Sequence, residues 1–124
     1  MDNPEKKYEE WALWDFLTGL KNRNCYEREL VNYEKFHEQV GVLVADVNNL
    51  KKVNDTFGHD DGDKLIITAA NILKECLASA QAIYRTGGDE FVAIFTKSDE
   101  SQVRREMKNV VTRCNENISF AYPV

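Results

Sequence analysis

Residues 84–95 read YRTGGDEFVAIF, and this stretch sets the expected architecture of the chain. The segments QAIYRT (81–86) and EFVAIF (90–95) have the β-branched and aromatic content of strands, and the glycines between them are typical of a tight hairpin turn. Gly87 and Gly88 permit positive φ and carry no side chain, so a bulky ligand can approach the backbone at this turn. The pattern predicts a β-hairpin with an accessible tip.

The rest of the chain alternates between helix and strand patterns. The first apolar and charged stretch predicts a helix over residues 3–16 that is broken at Gly19. Asn22 is placed to cap a second helix over residues 23–37, and the β-branched run 40–47 is typical of a strand covered on both faces. The other predicted elements are a short helix within 48–58, a turn at HDDGD (59–63), a helix over 64–79, the two hairpin strands, a helix over 99–117 and a last strand, ISFAY (118–122).

This order of elements predicts an α+β fold. Helices that alternate with strand pairs favour a mixed central sheet flanked by helices, as in ferredoxin-like folds. Because the last predicted strand has nothing after it, we expect the domain to be C-terminally truncated.

Composition and charge exclude several classes of function. The 124 residues have room for one domain, and a net charge of −5 argues against sequence-independent binding to nucleic acid, which needs a basic surface. The three cysteines lack a CxxC pair, and no apolar run approaches the roughly 18 residues of a membrane span. We therefore expect a cytoplasmic domain with no structural disulfide, zinc site or membrane span.

Two acids at strand ends suggest a metal site. Asp46 ends the apolar run VGVLVA, where an unpaired carboxylate is costly, and Asp89 follows the glycine pair. If the two strands pair, Asp46 and Asp89 form a hard-oxygen site suited to Mg²⁺, which leaves positions open for substrate phosphates. Such a site fits phosphoryl or nucleotidyl transfer. From spacing alone, a plain surface turn and a strand-end acid are an alternative interpretation.

Four sequence blocks together resemble the GGDEF-domain diguanylate cyclases. RTGGDEF (85–91) resembles the family signature, WDFLTGLKNR (14–23) its entry motif, and ADVNNLKKVNDTFGHDDGDKLI (45–66) its strand and helix block. ISFAY (118–122) lies where the family has its strand after the third helix. The resemblance extends over about residues 13–122. It implies a palm-type fold like that of class III nucleotide cyclases and the condensation of two GTP to cyclic di-GMP, with release of two pyrophosphates, in a two-fold homodimer.

The resemblance also implies a role for individual residues. Asp63 is expected to read guanine, because an ionised carboxylate can accept from the N1 and N2 donors that adenine lacks. The implied metal ligands for Mg²⁺ (or Mn²⁺) are Asp46, the Val47 carbonyl, Asp89 and Glu90. The implied catalytic residues are Asp46, Lys51, Asp89 and Glu90. The implied substrate-binding residues are Asn49, Leu50, Lys51, Asn54, Asp63 and Gly88, with the first three near the phosphates and Asn54 beside Asp63 at the base.

The resemblance divides the chain and leaves one alternative function open. Residues 1–12 are interpreted as the stub of a helix from an N-terminal sensory or receiver domain, and residues 13–124 as a GGDEF domain without its final helix and strands. The inhibitory R-x-x-D site of many members is absent, because residues 78–81 read ASAQ. The truncation is expected to impair turnover. The alternative is a catalytically inactive module that binds GTP or a protein partner.

Overall fold

The computed structural model describes residues 12–37 and 39–121, with side chains placed up to residue 115. Its elements in chain order are β1 (Lys21–Asn22), α1 (Arg23–Phe36), β2 (Gly41–Asp46), α2 (Leu50–Phe57), α3 (His59–Cys76), β3 (Ala82–Arg85), β4 (Glu90–Phe95) and α4 (Glu100–Ala121). Across this part of the chain, no helix combines the length and the apolar character that crossing a membrane requires.

The strands form one mixed four-stranded sheet in the order β1-β3-β4-β2. Strand β1 pairs parallel with β3, while β3–β4 and β2–β4 are antiparallel. The sheet and its flanking helices confirm the predicted α+β, palm-type architecture. The β3–β4 pair is the predicted hairpin.

Strand β4 lies at the centre of the hydrophobic core and contributes to both faces. Phe91, Ala93 and Phe95 pack with residues of α3 and with Val110 of α4. Val92 and Ile94, on the other face, pack with Cys25 of α1 and with Tyr84. Alternation of side chains along an extended strand therefore divides the core into a layer under α3 and α4 and a layer under α1.

The hairpin tip differs in one detail from the prediction. The connection spans Thr86–Asp89, and the amides of Thr86 and Gly87 both donate to the Glu90 carbonyl, at 3.0 and 3.4 Å. In the described chain only Gly19 and Gly58 are glycines with positive φ, so neither Gly87 nor Gly88 uses the left-handed region. The expected open space is present at Gly88, where an added Cβ would meet nothing within 4 Å.

Strand β2 was predicted to be covered on both faces, and this is wrong. Val42 and Val44 are 51% and 60% exposed, whereas Leu43 and Ala45 pack against the core under α3 and α4. Among the described strands β2 lies at the edge of the sheet. Because α1 lies over β1 and β3, it leaves the same face of β2 uncovered.

The predicted helix over residues 3–16 is not helical in the part that the structure describes; residues 1–11 lie outside it. Residues 12–20 form turns instead. The Asp15 carboxylate accepts from the Thr18 amide at 3.0 Å and from the Thr18 hydroxyl at 2.7 Å, and Gly19 adopts a φ of 73°. These local hydrogen bonds compete with helix formation, which explains the difference.

Two further boundaries differ from prediction. The expected turn at 59–63 is the first turn of α3, because Gly58, with a φ of 96°, makes the bend alone. Asp60 and Asp61 then lie in the first helical turn, where the helix dipole favours acids. The prediction of a strand over 118–122 is wrong for residues 118–121. Helix α4 continues to Ala121, because no glycine or proline interrupts it. Residue 122 lies outside the described chain.

Candidate active site

The pairing of β2 with β4 brings the predicted metal ligands to one end of two neighbouring strands. Asp46 lies directly opposite Glu90 in the register, and the Val47 amide donates to the Asp89 carbonyl at 2.8 Å. Opposed residues of an antiparallel pair project to the same face, so Asp46 and Glu90 share a face. Asp89 belongs to the turn and is exposed. The sequence interpretation had paired Asp46 with Asp89, whereas the register makes Glu90 its direct neighbour.

A threonine that the sequence interpretation missed holds Glu90. The hydroxyl of Thr86 donates to the Glu90 carboxylate at 2.6 Å, and the Thr86 amide donates to the Glu90 carbonyl at 3.0 Å. Thr86 is 7% exposed, so this contact is sheltered from water. A hydroxyl residue four positions before an acid, across a glycine turn, was the available sequence signal.

Arg85 supports the glycine turn from below. Its guanidinium donates to the Gly88 carbonyl at 2.8 Å and to the two Asp15 carboxylate oxygens at 3.2 and 3.3 Å. The Asp15 carboxylate is itself held by Thr18, and Lys74 of α3 donates to the Thr18 carbonyl at 2.7 Å. This chain of polar contacts ties the hairpin tip to the turn at 15–20 and to α3.

The expected guanine-reading residues lie on two consecutive helices. Asn54 is half-buried on α2, and Asp63 is exposed near the start of α3. A Cβ built at Gly62 would lie 1.7 Å from Oδ1 of Asn54, so the Asn54 amide rests against the Gly62 backbone. The α2–α3 pair therefore brings the Asn54 side chain next to the residue that precedes Asp63.

The expected phosphate-binding residues surround the start of α2. Asn49 caps this helix in the left-handed conformation, with a φ of 67°, and its carbonyl accepts from the Val53 amide at 2.9 Å. Leu50 is half-buried, and Lys51 is exposed in the first turn. Because only residues 47–49 separate the end of β2 from Leu50, the helix begins close to Asp46.

Within residues 12–37 and 39–121, no three histidine, cysteine, aspartate or glutamate side chains are gathered closely enough to hold a metal ion. Asp46, Asp89 and Glu90 are therefore neighbours along the paired backbones, without a three-carboxylate cluster. One or two carboxylates are what Mg²⁺ takes from a protein when phosphates and water supply the remaining ligands. The donor set fits this mode of binding.

A second polar cluster lies under α1, on the face of the sheet that carries Tyr84. The Glu29 carboxylate accepts from Lys21, Cys25 and Tyr84 at 2.9, 3.0 and 3.0 Å. Burial alone would raise the pKa of Glu29, but these hydrogen bonds outweigh it and lower the pKa. Burial, and then the bond to Glu29, raise the pKa of the Cys25 thiol to about 11. The cluster fixes α1 on the sheet and holds its thiol protonated.

Residues 12–122 match the family described as "Diguanylate cyclase, GGDEF domain". The chain belongs to this family. This GGDEF domain is 35% identical over 105 residues to the cyclic di-GMP phosphodiesterase PdeR of Escherichia coli K12, with 82% of the chain and 16% of that protein covered. It is 38% identical over 87 residues to the diguanylate cyclase DgcS of Shewanella oneidensis, with 67% of the chain and 29% of that protein covered.

Solved structures show the same fold. The GGDEF domain of DgcB from Caulobacter crescentus, in complex with c-di-GMP, superposes with a TM-score of 0.78 at 28% identity, covering 86% of this chain and 64% of that one. The Vibrio cholerae LapD S helix-GGDEF-EAL structure reaches a TM-score of 0.81 at 22% identity, covering 91% of this chain and 28% of that one, and supports the fold alone. Among the relatives compared by sequence, the chain spans less than a third of the length of PdeR and of DgcS.

Proposed function

We propose that this GGDEF domain is the catalytic part of a diguanylate cyclase, which condenses two GTP to cyclic di-GMP and releases two pyrophosphates. The observation that carries the proposal is the β2–β4 register, with Asp46 opposite Glu90 and the Val47 amide on the Asp89 carbonyl. All four positions implied as metal ligands thereby occupy one end of one strand pair. Family membership supports the same reaction class.

Mg²⁺, with Mn²⁺ as a substitute, would be held by the Asp46 and Asp89 carboxylates and the Val47 carbonyl, with Glu90 beside them. When bound, the ion would offset the charge of the triphosphate. The N-terminal amides of α2 and the exposed Lys51 lie at the adjacent helix start, where phosphate oxygens find donors. Gly88 leaves room for the nucleotide to approach.

The base would lie between α2 and α3. The Asp63 carboxylate can accept from N1 and N2 of guanine, and the Asn54 amide can add a second polar contact. Adenine has an acceptor at N1 and no donor at C2, so the same carboxylate disfavours it. This pair of residues therefore favours GTP over ATP.

The reaction requires two copies of the domain. Each 3′-hydroxyl oxygen forms a bond to the α-phosphorus of the opposite GTP, and the bond from that phosphorus to the β-phosphate bridging oxygen breaks, releasing pyrophosphate. Glu90, held by the Thr86 hydroxyl, is the group placed to take the hydroxyl proton. A two-fold dimer aligns the two nucleotides, and an N-terminal sensory or receiver domain would control the pairing.

A regulatory module is the second candidate function. It is favoured by the 35% identity to PdeR, whose name is that of a phosphodiesterase rather than a cyclase. In such a module the same residues would bind GTP, or the surface would bind a protein partner, without turnover. Asp46, Asn54 and Asp63, whose roles the family resemblance implies, would take part in GTP binding in either case.

Incubation of a full-length version of the protein with GTP and Mg²⁺, followed by chromatography of the nucleotides, distinguishes the two functions. We expect cyclic di-GMP from the wild type and from Glu34→Ala, which removes an exposed carboxylate on α1, and none from Asp89→Ala. GTP binding without product would favour the regulatory module. Undiminished turnover by Asp89→Ala would show that the metal-ligand assignment is wrong.

A further inference from the structure

Gly62 is a buried glycine inside α3 that the backbone does not require. Its φ lies outside the left-handed region, which in the described chain holds only Gly19 and Gly58 among the glycines. Glycine is among the least favourable residues in a helix interior, so its presence needs another cause. The cause is steric, because another side chain occupies the space where a Cβ at position 62 would lie.

The space beside Gly62 is filled by the end of the Asn54 side chain. An added Cβ would lie 1.7 Å from Oδ1, 2.8 Å from Cγ and 3.4 Å from Nδ2 of Asn54. The first two distances are far inside van der Waals contact, so the Asn54 amide and any side chain at position 62 exclude each other.

The backbone of Asn54 cannot withdraw easily, because its carbonyl accepts from the Gly58 amide at 2.9 Å at the end of α2. The amide group is the flexible end of a side chain, so an alanine at position 62 would rotate it away rather than unfold the α2–α3 pair. The two helices would stay in place and the direction of the amide would change.

We propose that Gly62 is a positioning residue for nucleobase selection: by lacking a side chain, it holds the Asn54 amide beside Asp63. This rests on the proposed function, since the ligand class is a purine nucleoside triphosphate with donors on its Watson–Crick edge. The carboxylate of Asp63 and the amide of Asn54 meet the base together only while position 62 has no Cβ. Selectivity for guanine over adenine then depends on Gly62, although Gly62 itself does not contact the base.

Titration of the purified protein with GTP, ATP and inorganic tripolyphosphate tests this. For Gly62→Ala we expect the ratio of GTP affinity to ATP affinity to fall about tenfold, as for the loss of one well-formed hydrogen bond to the base. The tripolyphosphate affinity should stay unchanged, because the phosphate end is not altered. Asn71→Ala, at an exposed position of α3, is the matched control for helix propensity and should leave the ratio unchanged.

The double variant separates positioning from a general structural role. In the Asn54→Ala background, Gly62→Ala should change the GTP:ATP ratio no further, and should raise Tm by about 3–5 °C through helix propensity. In the wild-type background the gain in Tm should be smaller, because the amide must be displaced. Additive effects on the ratio, or equal gains in Tm in both backgrounds, would overturn the proposal.

Failure of the proposed function gives a different result. A wild-type protein that binds none of the three ligands would refute GTP binding while leaving the Tm comparison to test the Gly62–Asn54 contact. An unchanged GTP:ATP ratio in Gly62→Ala, with tight GTP binding, would refute the role of Gly62 alone.

Discussion

Replacing Arg85 by methionine removes the guanidinium that connects the glycine turn to the segment at 15–20. The side chains of Arg85 and Asp15 are 17% and 20% exposed, so the pair is largely buried. Removing one partner of a buried ion pair costs about 3–5 kcal/mol, because the other charge is left unpaired. About a fifth of each side chain is still in contact with water, which weakens the penalty, so we expect Arg85→Met to lower the unfolding free energy by about 2–3 kcal/mol.

The coupling is best measured with a double-mutant cycle in urea. Asp15→Asn keeps an acceptor for Thr18 and removes the charge, so we expect a loss of about 1–2 kcal/mol. The double variant should lose about 1–2 kcal/mol less than the sum of the single variants, because both remove the same interaction. The hydrogen bond from Arg85 to the Gly88 carbonyl adds a cost that this coupling does not contain.

The exposed pair Arg104–Glu100 on α4 is the matched control. Its side chains are 69% and 78% exposed, and pairs of this kind contribute about 0.5 kcal/mol or less. A coupling between Asp15 and Arg85 no larger than the one between Glu100 and Arg104 would refute the view that burial strengthens the contact beneath the turn.

Three further predictions concern the sheet and the polar cluster under α1. Val44 and Val92 are register partners and are 60% and 4% exposed. In urea unfolding, Val92→Ala should lower the unfolding free energy by about 2 kcal/mol and Val44→Ala by about 0.5 kcal/mol or less. Equal losses would contradict the cover of β2 on one face only. The fold raises the pKa of the Cys25 thiol from 9.0 to about 11, so the protonated thiol stabilises the folded protein fully below pH 9 and this contribution to the unfolding free energy is lost as the pH rises towards 11. Cys25→Ser should therefore make the unfolding free energy fall less steeply over this pH range. An unchanged slope would contradict the raised pKa of Cys25. Tyr84→Phe, which removes the 3.0 Å hydrogen bond to Glu29, should lower the unfolding free energy by about 1 kcal/mol, and no loss would mean that water replaces the hydroxyl.

Local patterns predicted most of the secondary structure. The helix at 23–36, the strand at 41–46 and the hairpin strands appear within a residue or two of their expected bounds, because periodicity and capping act over a few neighbouring residues. The wrong predictions for residues 12–16 and 59–63 share a cause. Asp15 and Gly58 redirect the backbone through contacts and conformations that apolar periodicity does not report.

The site shows the same division. The acids at 46, 89 and 90 could be identified from their places at strand ends, but their partners could not. Glu90 rather than Asp89 is the register neighbour of Asp46, Thr86 holds Glu90, and Gly62 accommodates Asn54. Each of these contacts depends on strand register or helix packing, which single-sequence spacing does not specify. The implied metal and substrate roles are still predictions.

The amino-acid order was enough to specify the α+β class, the hairpin with its glycine tip and the family, because these depend on short motifs and on local periodicity. Cover of β2 on one face, the direction of each acid and the contact between Gly62 and Asn54 arose from packing between distant segments. The physical reason is the distance over which each interaction acts. Backbone preferences act within a few residues along the chain, whereas strand register and burial depend on how whole helices and strands pack into one core.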